Sequence, residues 1–233
     1  MIGVAVAGAA GRMGQATCAA VQGAEDMELL ARADPRLGTS LEQALASTPE
    51  VLVDFTQPDT ALQNALICLR AGVHVVIGTT GFDLDELAER SAAIAVERAP
   101  RAPANAFVAP NFAIGAVLMM RFAAEAAQYM AKAEIVELHH DGKLDAPSGT
   151  AARTARLMAQ ASGGQEPPIH SVRLPGILAN QEVILGDLGQ TLTIRHDSLE
   201  RESFMPGVLL AVRRVGSLER SPVVGLEHLL FED

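Results

Sequence analysis

The sequence predicts an α/β fold in which a doubly wound parallel sheet is followed by a second α/β domain with an open mixed sheet. Up to residue 98, short apolar runs alternate with longer helical stretches, and this alternation builds βαβ units. Glycines separate the first apolar run from the first helix, as at a tight strand-to-helix turn. Beyond residue 98 the pattern changes to strands joined by glycine turns, which predicts a second sheet of different topology.

The first half of the chain is expected to contain four strands and three helices. Its opening run, IGVAVAG at 2–8, is apolar and β-branched, which is typical of a strand buried on both faces of a parallel sheet. The predicted strands are 2–8, 27–34, 51–56 and 73–81, and the predicted helices are 12–23, 59–72 and 84–98. In such a sheet, ligands bind outside the carboxyl ends of the strands.

The turn after the first strand reads GAAGRMG, with glycines at Gly8, Gly11 and Gly14. Glycines at this place let the backbone turn tightly and approach a pyrophosphate, which then lies against the N–H groups of the helix N-terminus. Ala10 stands where a stricter motif has glycine, and a purely structural turn is the alternative interpretation. The position between the first strand and the first helix favours a Rossmann-type dinucleotide site.

An acidic residue, Asp34, ends the second strand 20 residues after Gly14. A carboxylate at that spacing accepts hydrogen bonds from the adenosine ribose hydroxyls of a dinucleotide. An ordinary turn is the alternative, because Asp34-Pro35 is also a good turn opener. Arg36 and Arg12 are placed to face a 2′-phosphate, so the prediction is that both NADH and NADPH bind, in an undetermined ratio.

Small polar residues follow the third and fourth predicted strands. Phe55-Thr56 ends the third strand, and the segment GTTG at 78–81 ends the fourth. These positions border the ligand crevice of an open α/β sheet, where small residues let backbone groups approach a ribose and a nicotinamide. Ordinary loop chemistry is the alternative, particularly for Thr56.

The second half begins after an Ala/Pro-rich segment at 99–115, which is interpreted as the crossing between domains. A long apolar helix is predicted at 113–131, a strand at 132–140 and a helix at 147–162. Further strands and a closing helix are predicted within HSVRLPG, QEVILGDLGQTLTIRHDS and GVLLAVRRV. A short helix at 225–231 is expected to return to the first domain.

The segment ELHHDGKLDAPSGTA at 137–151 concentrates polar residues in the middle of the chain. Adjacent side chains on a strand point to opposite faces, so His139 and His140 are expected to do different jobs, which argues against a two-histidine metal site. Histidine is the natural acid near neutral pH, and Lys143 adds a positive charge and a second transferable proton.

The same segment ends in a predicted helix start. Ser148 is a suitable N-cap, and the N–H groups of Gly149 and Thr150 are expected at a helix N-terminus, which binds carboxylate or phosphate. Each residue taken singly also fits a solvated loop beside a capped helix. Together with a nicotinamide-binding fold, they predict a site that holds an anionic substrate and protonates it.

Composition excludes several classes of function. The formal net charge is −10 and no run of lysines or arginines occurs, so no nucleic-acid partner is expected. The two cysteines, Cys18 and Cys68, lack metal-ligand spacing and are interpreted as buried free thiols. No apolar stretch reaches the ~20 residues of a membrane helix, and the N-terminus lacks a basic leader, so we expect a cytoplasmic protein without a membrane partner.

Six segments, taken in order, resemble the 4-hydroxy-tetrahydrodipicolinate reductases, also called dihydrodipicolinate reductases. They are GAAGRMG, VDFTQPDTALQNA, VIGTTGF, APNFAIG, ELHHDGKLDAPSGTA and GQTLTIRHDSLERESF, and the similarity covers essentially the whole chain. HHDGKLDAPSGT is highly specific, whereas GAAGRMG alone is not. The resemblance implies reduction of the small cyclic dicarboxylate 4-hydroxy-tetrahydrodipicolinate by NADH or NADPH, with no metal, in the diaminopimelate route to lysine.

The resemblance also implies how the chain is divided. A Rossmann domain would comprise 1–108 and the tail 203–233, and a substrate-binding domain at 109–202 would assemble a homotetramer through its open sheet. The cofactor would contact Gly8, Ala9, Ala10, Gly11, Arg12, Met13, Asp34, Gly78, Thr79, Thr80, Ala109, Pro110, Asn111 and Phe112.

Catalytic and substrate-binding roles follow from the same resemblance. His139 would be the catalytic proton donor and acceptor, and Lys143 a proton donor. The substrate carboxylates would be bound by His140, Gly149 and Thr150.

Two positions depart from the family pattern. Ala113 stands where serine is common, and Asn180 stands before Gln181 where histidine is common. Neither belongs to the HH-x-x-K core. Two alternatives stay open: another Rossmann dehydrogenase, of aspartate or homoserine type, and a non-catalytic NAD(P)-binding sensor. The first would leave HHDGKLDAPSGT unexplained, and the second would be expected to lose the histidine or the lysine.

Overall fold

A computed structural model of the chain describes residues 1–231. The chain forms two compact units: the first comprises Met1–Phe112 together with the chain from Phe204 onward, and the second is Ala113–Ser203. The first unit contains a parallel sheet and the second a mixed sheet, so the fold class predicted from the sequence is confirmed.

The first unit is built on six parallel strands. They are β1 (Ile2–Ala7), β2 (Met27–Ala33), β3 (Val51–Asp54), β4 (His74–Ile77), β5 (Ala106–Val108) and, from the end of the chain, β10 (Val223–Val224). Their order across the sheet is β10-β5-β4-β3-β1-β2. The chain therefore leaves β1 toward one edge and returns on its other side, which makes the β1/β3 boundary the topological switch point where ligands bind in such sheets.

Helices cover this sheet. They are α1 (Arg12–Gly23), α2 (Leu41–Leu45), α3 (Pro58–Ala71), α4 (Leu84–Arg98), α7 (Met205–Arg214) and α8 (Glu227–Leu230). Local sequence sets their ends: α3 begins with a proline in its first turn and ends at Gly72, whose φ of 85° favours glycine. Asp83 caps α4 by accepting hydrogen bonds from two backbone N–H groups of the first turn.

The core of the first unit lies between the sheet and these helices. Its fully buried members include Leu52 on β3, Val75 and Ile77 on β4, and Leu66 and Leu69 on α3. The central strands are buried on both faces, as expected for a parallel sheet covered by helices. This packing holds the carboxyl ends of β1, β3 and β4 in fixed positions.

The second unit contains a four-stranded mixed sheet. Its elements are α5 (Ile114–Ala126), β6 (Lys132–His139), α6 (Gly149–Ser162), β7 (Ile169–Arg173), β8 (Ala179–Asp187) and β9 (Gln190–Ser198). The order is β7-β6-β8-β9, with β6 parallel to β7 and antiparallel to β8, and β8 antiparallel to β9.

Alternation along the strands gives this second sheet two different faces. Ile135, Val183 and Leu185 pack in one buried cluster with Ala155 and Met158 of α6. On the other face, apolar side chains that include Val136, Leu138, Val172 and Ile184 stay partly exposed. The helices of the unit therefore cover one face of the sheet.

The structure differs from the expected elements in a few places. A three-residue strand, β5, lies in the Ala/Pro-rich segment that is interpreted as the domain crossing; the family resemblance implies a strand at 99–107, and the composition of the segment argues against it. Strand β3 ends at Asp54, two residues early, because the Asp54 carboxylate accepts a hydrogen bond of 2.8 Å from the Thr56 N–H and turns the chain. Helix α6 starts at Gly149, two residues later than predicted, because Ser148 is its N-cap. The short helix α2 was not predicted.

Within residues 1–231, none of the helices combines the length and the apolar character that a membrane span requires.

Replacing Leu66 by alanine should lower the free energy of unfolding by about 2–5 kcal/mol, because the side chain is fully buried and its removal leaves a cavity. Val96→Ala on α4 is the matched control, since Val96 is largely exposed and should change stability by about 0.5 kcal/mol or less. Urea denaturation of both variants measures the difference. A loss for Leu66→Ala as small as that for Val96→Ala would contradict the packing described here.

Candidate functional site

A cavity of about 670 Å³ lies in the first unit at the topological switch point. Residues that follow three neighbouring strands line it: Gly8 and Gly11 after β1, Asp34 after β2, and Thr56 after β3. The cavity also extends along α2 and α3, and its other lining residues are Ala7, Ala33, Pro35, Arg36, Gly38, Thr39, Ser40, Leu41, Gln43, Phe55, Gln57, Thr60 and Asn64. Its position is that of a dinucleotide crevice.

The glycine turn beside this cavity admits no side chains at two of its positions. Gly8 has a φ of 72°, and a Cβ atom there would lie 2.6 Å from the Phe55 carbonyl oxygen. A Cβ atom on Gly14 would lie 2.1 Å from the carbonyl oxygen of Gly8. The turn is closed by a 2.9 Å hydrogen bond from the Gly11 N–H to the same oxygen. Glycine is therefore required by the close contact between the first turn of α1 and the strand end.

Asp34 is buried beside this turn and is held in place by hydrogen bonds. Its carboxylate accepts from the Ala10 N–H at 3.0 Å and from the Arg36 N–H at 2.9 Å. The Arg36 guanidinium binds the same carboxylate at 3.2 Å, and this hydrogen bond, more than any other contact, keeps the pKa of Asp34 below its usual range. A carboxylate and an exposed guanidinium thus share one wall of the cavity.

The loops after β3, β4 and β5 pack against one another at the same edge of the sheet. Thr79 donates a 2.8 Å hydrogen bond to the Thr56 carbonyl, and a Cβ on Gly78 would lie 2.1 Å from the Phe55 ring. The Phe55 and Phe112 rings meet edge to face, with centroids 6.0 Å apart. These contacts join the predicted segments 78–80 and 109–112 into one surface.

The predicted cofactor residues fall into three groups. The first does not line the cavity: Ala9 is buried in the glycine turn, and Arg12 and Met13 begin α1. Gly8, Gly11 and Asp34 line the cavity directly, and Ala10 is bonded to Asp34. The residues after β4 and β5 belong to the same sheet edge but do not line this cavity. The sequence analysis missed the cavity residues on α2 and α3. These residues reach the cavity only because of the way their helices pack on the sheet, which no local pattern shows.

A second group of candidate functional side chains lies on β6 in the second unit. Glu137 and His139 are two residues apart on the strand, so both point to the face that carries Ile135. The His139 Nδ1 atom lies 2.5 Å from Glu137 Oε2. Glu137 is fully buried, whereas the His139 ring is partly exposed. A buried carboxylate therefore binds one nitrogen of the histidine and leaves the other, Nε2, for other partners.

Glu137 has several further donors. The Arg173 guanidinium on β7 binds both of its oxygens, at 2.8 Å and 3.0 Å. The backbone N–H of Ser148 donates to Oε1 at 3.2 Å. Burial alone raises the pKa of Glu137, but the hydrogen bonds from Arg173, Ser171 and His139 together outweigh burial, and the pKa lies below its usual range. Glu137 is therefore a carboxylate at neutral pH.

The charge state of His139 reflects opposing influences. Partial burial lowers the pKa of its imidazole, the Glu137 carboxylate raises it, and the nearby charges of Lys143 and Arg173 lower it again, so that the pKa ends below its usual value. Near neutral pH the ring is mostly neutral, and a proton bound at Nε2 is held less tightly than in free histidine. Such a group gives up a proton readily.

Lys143 lies in the loop between β6 and α6. Its ammonium binds both carboxylate oxygens of Asp145, at 2.7 Å and 2.8 Å. This hydrogen bond lowers the pKa of Asp145. Asp145 is mostly exposed, and exposed ion pairs contribute only about 0–1 kcal/mol, so an anionic ligand can replace Asp145 as the partner of Lys143 at little cost.

The start of α6 is fixed to the sheet at two points. Ser148 caps the helix by accepting from the Ala151 N–H at 3.2 Å, while its own N–H binds Glu137. Gln181 on β8 donates to the Thr154 hydroxyl at 2.8 Å, and that hydroxyl donates to the Thr150 carbonyl at 2.8 Å. The first turn of α6, including the predicted residues Gly149 and Thr150, is therefore held close to Glu137.

His140 follows the last residue of β6, and its carbonyl accepts from the Lys143 N–H at 3.1 Å in the turn that begins the loop. His139, His140, Lys143, Gly149 and Thr150 thus lie on one strand end, one loop and one helix start. No group of three or more histidine, cysteine or carboxylate side chains suited to a metal ion occurs in the described part of the chain.

The two departures from the family pattern have simple structural correlates. Ala113 is the N-cap residue of α5 and gives that helix no side-chain cap. Asn180 neighbours Gln181 on β8 and so points to the opposite face of the sheet from Glu137 and His139. The Asn180 departure therefore leaves the His139 face unchanged.

Sequence reasoning missed Glu137 and Arg173. Glu137 carried a usable signal, because period-two alternation puts this carboxylate on the same face as Ile135, which is a core position. Arg173 carried none, because its contact depends on the parallel register that pairs it with His139.

Comparison with known families covers nearly the whole chain. A profile described as "Dihydrodipicolinate reductase, N-terminus" matches residues 2–112, and one described as "Dihydrodipicolinate reductase, C-terminus" matches residues 115–230.

Individual proteins give the same result. A 4-hydroxy-tetrahydrodipicolinate reductase from Mycolicibacterium smegmatis is 46% identical over 97% of this chain and 98% of its own length. The enzyme of that name from Nocardia farcinica is also 46% identical, over 98% of both chains. A solved dipicolinate-bound dihydrodipicolinate reductase from Paenisporosarcina sp. TG-14 is 38% identical, with a TM-score of 0.83 over 98% of this chain and 99% of its own. A probable dehydrogenase from Thermotoga maritima (12% identity, TM-score 0.68, 98% and 93% covered) is similar in fold alone.

Proposed function

The chain belongs to the dihydrodipicolinate reductase family, and from this premise we propose that it reduces 4-hydroxy-tetrahydrodipicolinate to tetrahydrodipicolinate and water with NADH or NADPH. The reaction is a step of diaminopimelate and lysine biosynthesis. The observation that carries the proposal is the cluster on the second unit, where His139, Lys143 and the start of α6 bring an acid, a cation and a helix N-terminus to one place.

The first unit fits a nicotinamide dinucleotide. The α1 N-terminus has glycine as its N-cap and no side-chain cap, and the contacts of Gly8 and Gly14 leave room only for bare backbone beside it. Asp34 offers its carboxylate to ribose hydroxyls, and the exposed Arg36 offers a cation to a 2′-phosphate. We propose on these grounds that both NADH and NADPH are used. When bound, either supplies a hydride.

Substrate binding is assigned to the second unit. A dicarboxylate would place its carboxylates against Lys143, His140 and the backbone of Gly149 and Thr150, where positive charge and the α6 dipole favour anions. Arg173 is a further cation of the same unit, but its guanidinium is paired with the Glu137 carboxylate. Although the formal net charge of the protein is −10, the Lys143 ammonium and the N-terminus of α6 would together attract an anionic substrate at this place.

His139 would protonate the substrate. Reduction of an imine-conjugated ring places negative charge on the substrate, and a positioned acid meets that charge with a proton. The free nitrogen of His139, Nε2, is the atom from which the proton leaves, because Nδ1 is bound to Glu137. Lys143 would stabilise the same charge and serve as a second proton donor.

We further propose that the first unit is the dinucleotide-binding domain and the second the substrate-binding domain, which assembles a homotetramer in the cytoplasm. The assembly is supported by the second sheet, whose partly exposed face carries Val136, Leu138, Val172 and Ile184. Apolar side chains on an uncovered sheet face favour burial against another sheet.

A coupled assay tests the proposed reaction. The unstable substrate is generated in place from pyruvate and aspartate semialdehyde by its synthase, and oxidation of NADH or NADPH is followed at 340 nm. Oxidation that requires both synthase and this protein supports the proposal and ranks the two cofactors. Cofactor binding without such oxidation would instead favour a non-catalytic sensor or a dehydrogenase with another substrate.

Gly14→Ala should weaken binding of NADH and NADPH together. The added methyl group would lie 2.1 Å from the Gly8 carbonyl oxygen, so the turn must move, and we expect Kd to rise by at least about tenfold, equal to ~1.4 kcal/mol. Gly23→Ala at the other end of α1 is the control, because no atom lies within 4 Å of its added methyl group. Fluorescence titration with NADH measures both. Equal affinity of the two variants would remove the turn from the cofactor site.

His139→Gln should lower kcat by ~10²–10⁴-fold, the usual contribution of a positioned acid, and should leave the Kd for NADH unchanged. His228→Gln on α8 is the control, since His228 is exposed and lies outside the cluster. The coupled assay measures kcat, and fluorescence measures Kd. Intact turnover in His139→Gln would exclude the acid role.

Lys143→Ala should lower kcat and also raise KM for the substrate, because it removes a charge as well as a proton. Lys132, the other lysine of the chain, is exposed at the start of β6, and Lys132→Ala should change neither value. Steady-state kinetics of the pair in the coupled assay separates the two effects. An unchanged KM in Lys143→Ala would argue against contact with a substrate carboxylate.

A further inference from the structure

The contact between His139 and Glu137 determines which ring nitrogen carries hydrogen. The His139 Nδ1 atom and Glu137 Oε2 are 2.5 Å apart, so one of the two atoms donates a hydrogen bond to the other. An ionised carboxylate only accepts hydrogen bonds. If Glu137 is ionised, Nδ1 therefore carries the hydrogen of the neutral ring, and Nε2 has a lone pair. In the charged ring Nε2 carries a hydrogen as well, and this is the transferable proton.

The surroundings of Glu137 keep it ionised. Arg173 donates to both of its oxygens, and the Ser148 N–H donates to Oε1. The guanidinium of Arg173 places a positive charge against both oxygens, and hydrogen bonds from a charged donor stabilise an ionised carboxylate more than a neutral carboxyl group. A fully buried carboxylate with a bidentate arginine is thus the stable form.

We propose that Glu137 is the positioning residue of this site: held as a carboxylate by Arg173, it keeps His139 protonated at Nδ1 and directs Nε2 toward the substrate. The kinetic part of this inference rests on the proposed function, whereas the protonation of the ring does not. In the reaction, the Nε2–H bond breaks and the proton moves to the substrate. The neutral ring keeps its Nδ1–H, and Nε2 regains a proton from water.

A purely structural role is the competing explanation, because Glu137 also connects three segments. It joins β6 to Arg173 on β7 and to Ser148 at the start of α6. A structural role predicts that loss of the carboxylate weakens folding or lowers activity at all pH values alike. A positioning role predicts in addition that the ring hydrogen of His139 changes place and that the pH dependence moves.

The direction of the pH effect follows from the groups that face His139. Glu137, on the same strand, raises the pKa of His139. Arg173 on β7 and Lys143 in the loop after β6 lower it. Asp145 is paired with Lys143. The residue opposite on β8 is Ala179, which carries no charge. An acid works only while protonated, so activity falls as pH rises through the pKa of His139. Removing Glu137 removes the group that raises this pKa, and the fall must then begin at lower pH.

The first measurement is long-range ¹H–¹⁵N spectroscopy of the unaltered protein labelled at its six histidines, with His139 assigned by its loss in His139→Gln. We expect the neutral ring of His139 to carry its hydrogen on Nδ1. A neutral ring with hydrogen on Nε2 would overturn the proposal. This measurement needs neither turnover nor a Glu137 variant, so it decides the question even if such variants fail to fold or the protein lacks the proposed activity.

The second measurement is the pH profile of kcat/KM for Glu137→Gln in the coupled assay. We expect kcat to fall about 10–100-fold, as for outer partners of metal-bound histidines, and the alkaline limb to move to lower pH, with an unchanged Kd for NADH. Glu137→Asp keeps the charge and should restore the alkaline limb toward its original pH. A reduced kcat with an unmoved limb in Glu137→Gln would mean a structural role only.

Glu134→Gln is the matched control for the spectra. Glu134 pairs with His170 at 2.8 Å on the same two strands, but both side chains are exposed. This variant should alter the His170 resonances and leave those of His139 in place. Glu137→Gln should do the reverse, and a change of both histidines in either variant would contradict local control of the ring by Glu137.

Discussion

The second unit depends on one buried carboxylate. Glu137 is fully buried and charged, and a charge of that kind is tolerated only when its hydrogen-bonding capacity is filled by good partners. Its partners come from three segments: His139 on its own strand, Arg173 on β7 and Ser148 at the start of α6. Arg173 also donates to the Asp145 carbonyl at 2.7 Å, so the loop that carries Lys143 is tied at its start, near its middle and at its end.

The first unit is governed by a different constraint, the closeness of backbone to backbone at the carboxyl end of its sheet. At Gly14 a single methyl group would come within 2.1 Å of a carbonyl oxygen, and at Gly78 within 2.1 Å of an aromatic ring. Removing side chains there lets α1 and the loop after β4 approach the strand ends, and it leaves polar backbone facing the cavity. The candidate site of one unit is thus shaped by the absence of side chains, and that of the other by a filled network of hydrogen bonds.

The sequence predicted what depends on local pattern. The buried strands, the glycine turn, Asp34 and the helix start after Ser148 all carry short-range signals that survive without knowledge of packing. The residues themselves give little support for β5, because three residues in an Ala/Pro-rich segment are too few to show a period-two pattern. Arg173 was missed because strand register, which places it beside His139, is fixed only when β6 and β7 pair. Local alternation therefore places Glu137 beside the candidate acid, whereas the pairing of β6 with β7 is needed to bring Arg173 to it.

Three cations of the two sites are each paired with a carboxylate, and exposure decides what each pair can do. Asp145 is 64% exposed, so water can solvate its carboxylate when Lys143 binds an anionic ligand instead. Asp34 is only 5% exposed while Arg36 is 66% exposed, so here the cation is free to move and the carboxylate stays with the backbone that binds it. At Glu137 and Arg173 the carboxylate is fully buried and the cation is 19% exposed. Removing Arg173 would leave the buried carboxylate without its charged partner, at a cost of about 3–5 kcal/mol. The first two pairs are therefore suited to exchange partners with ligands, and the third to hold the geometry that those exchanges require.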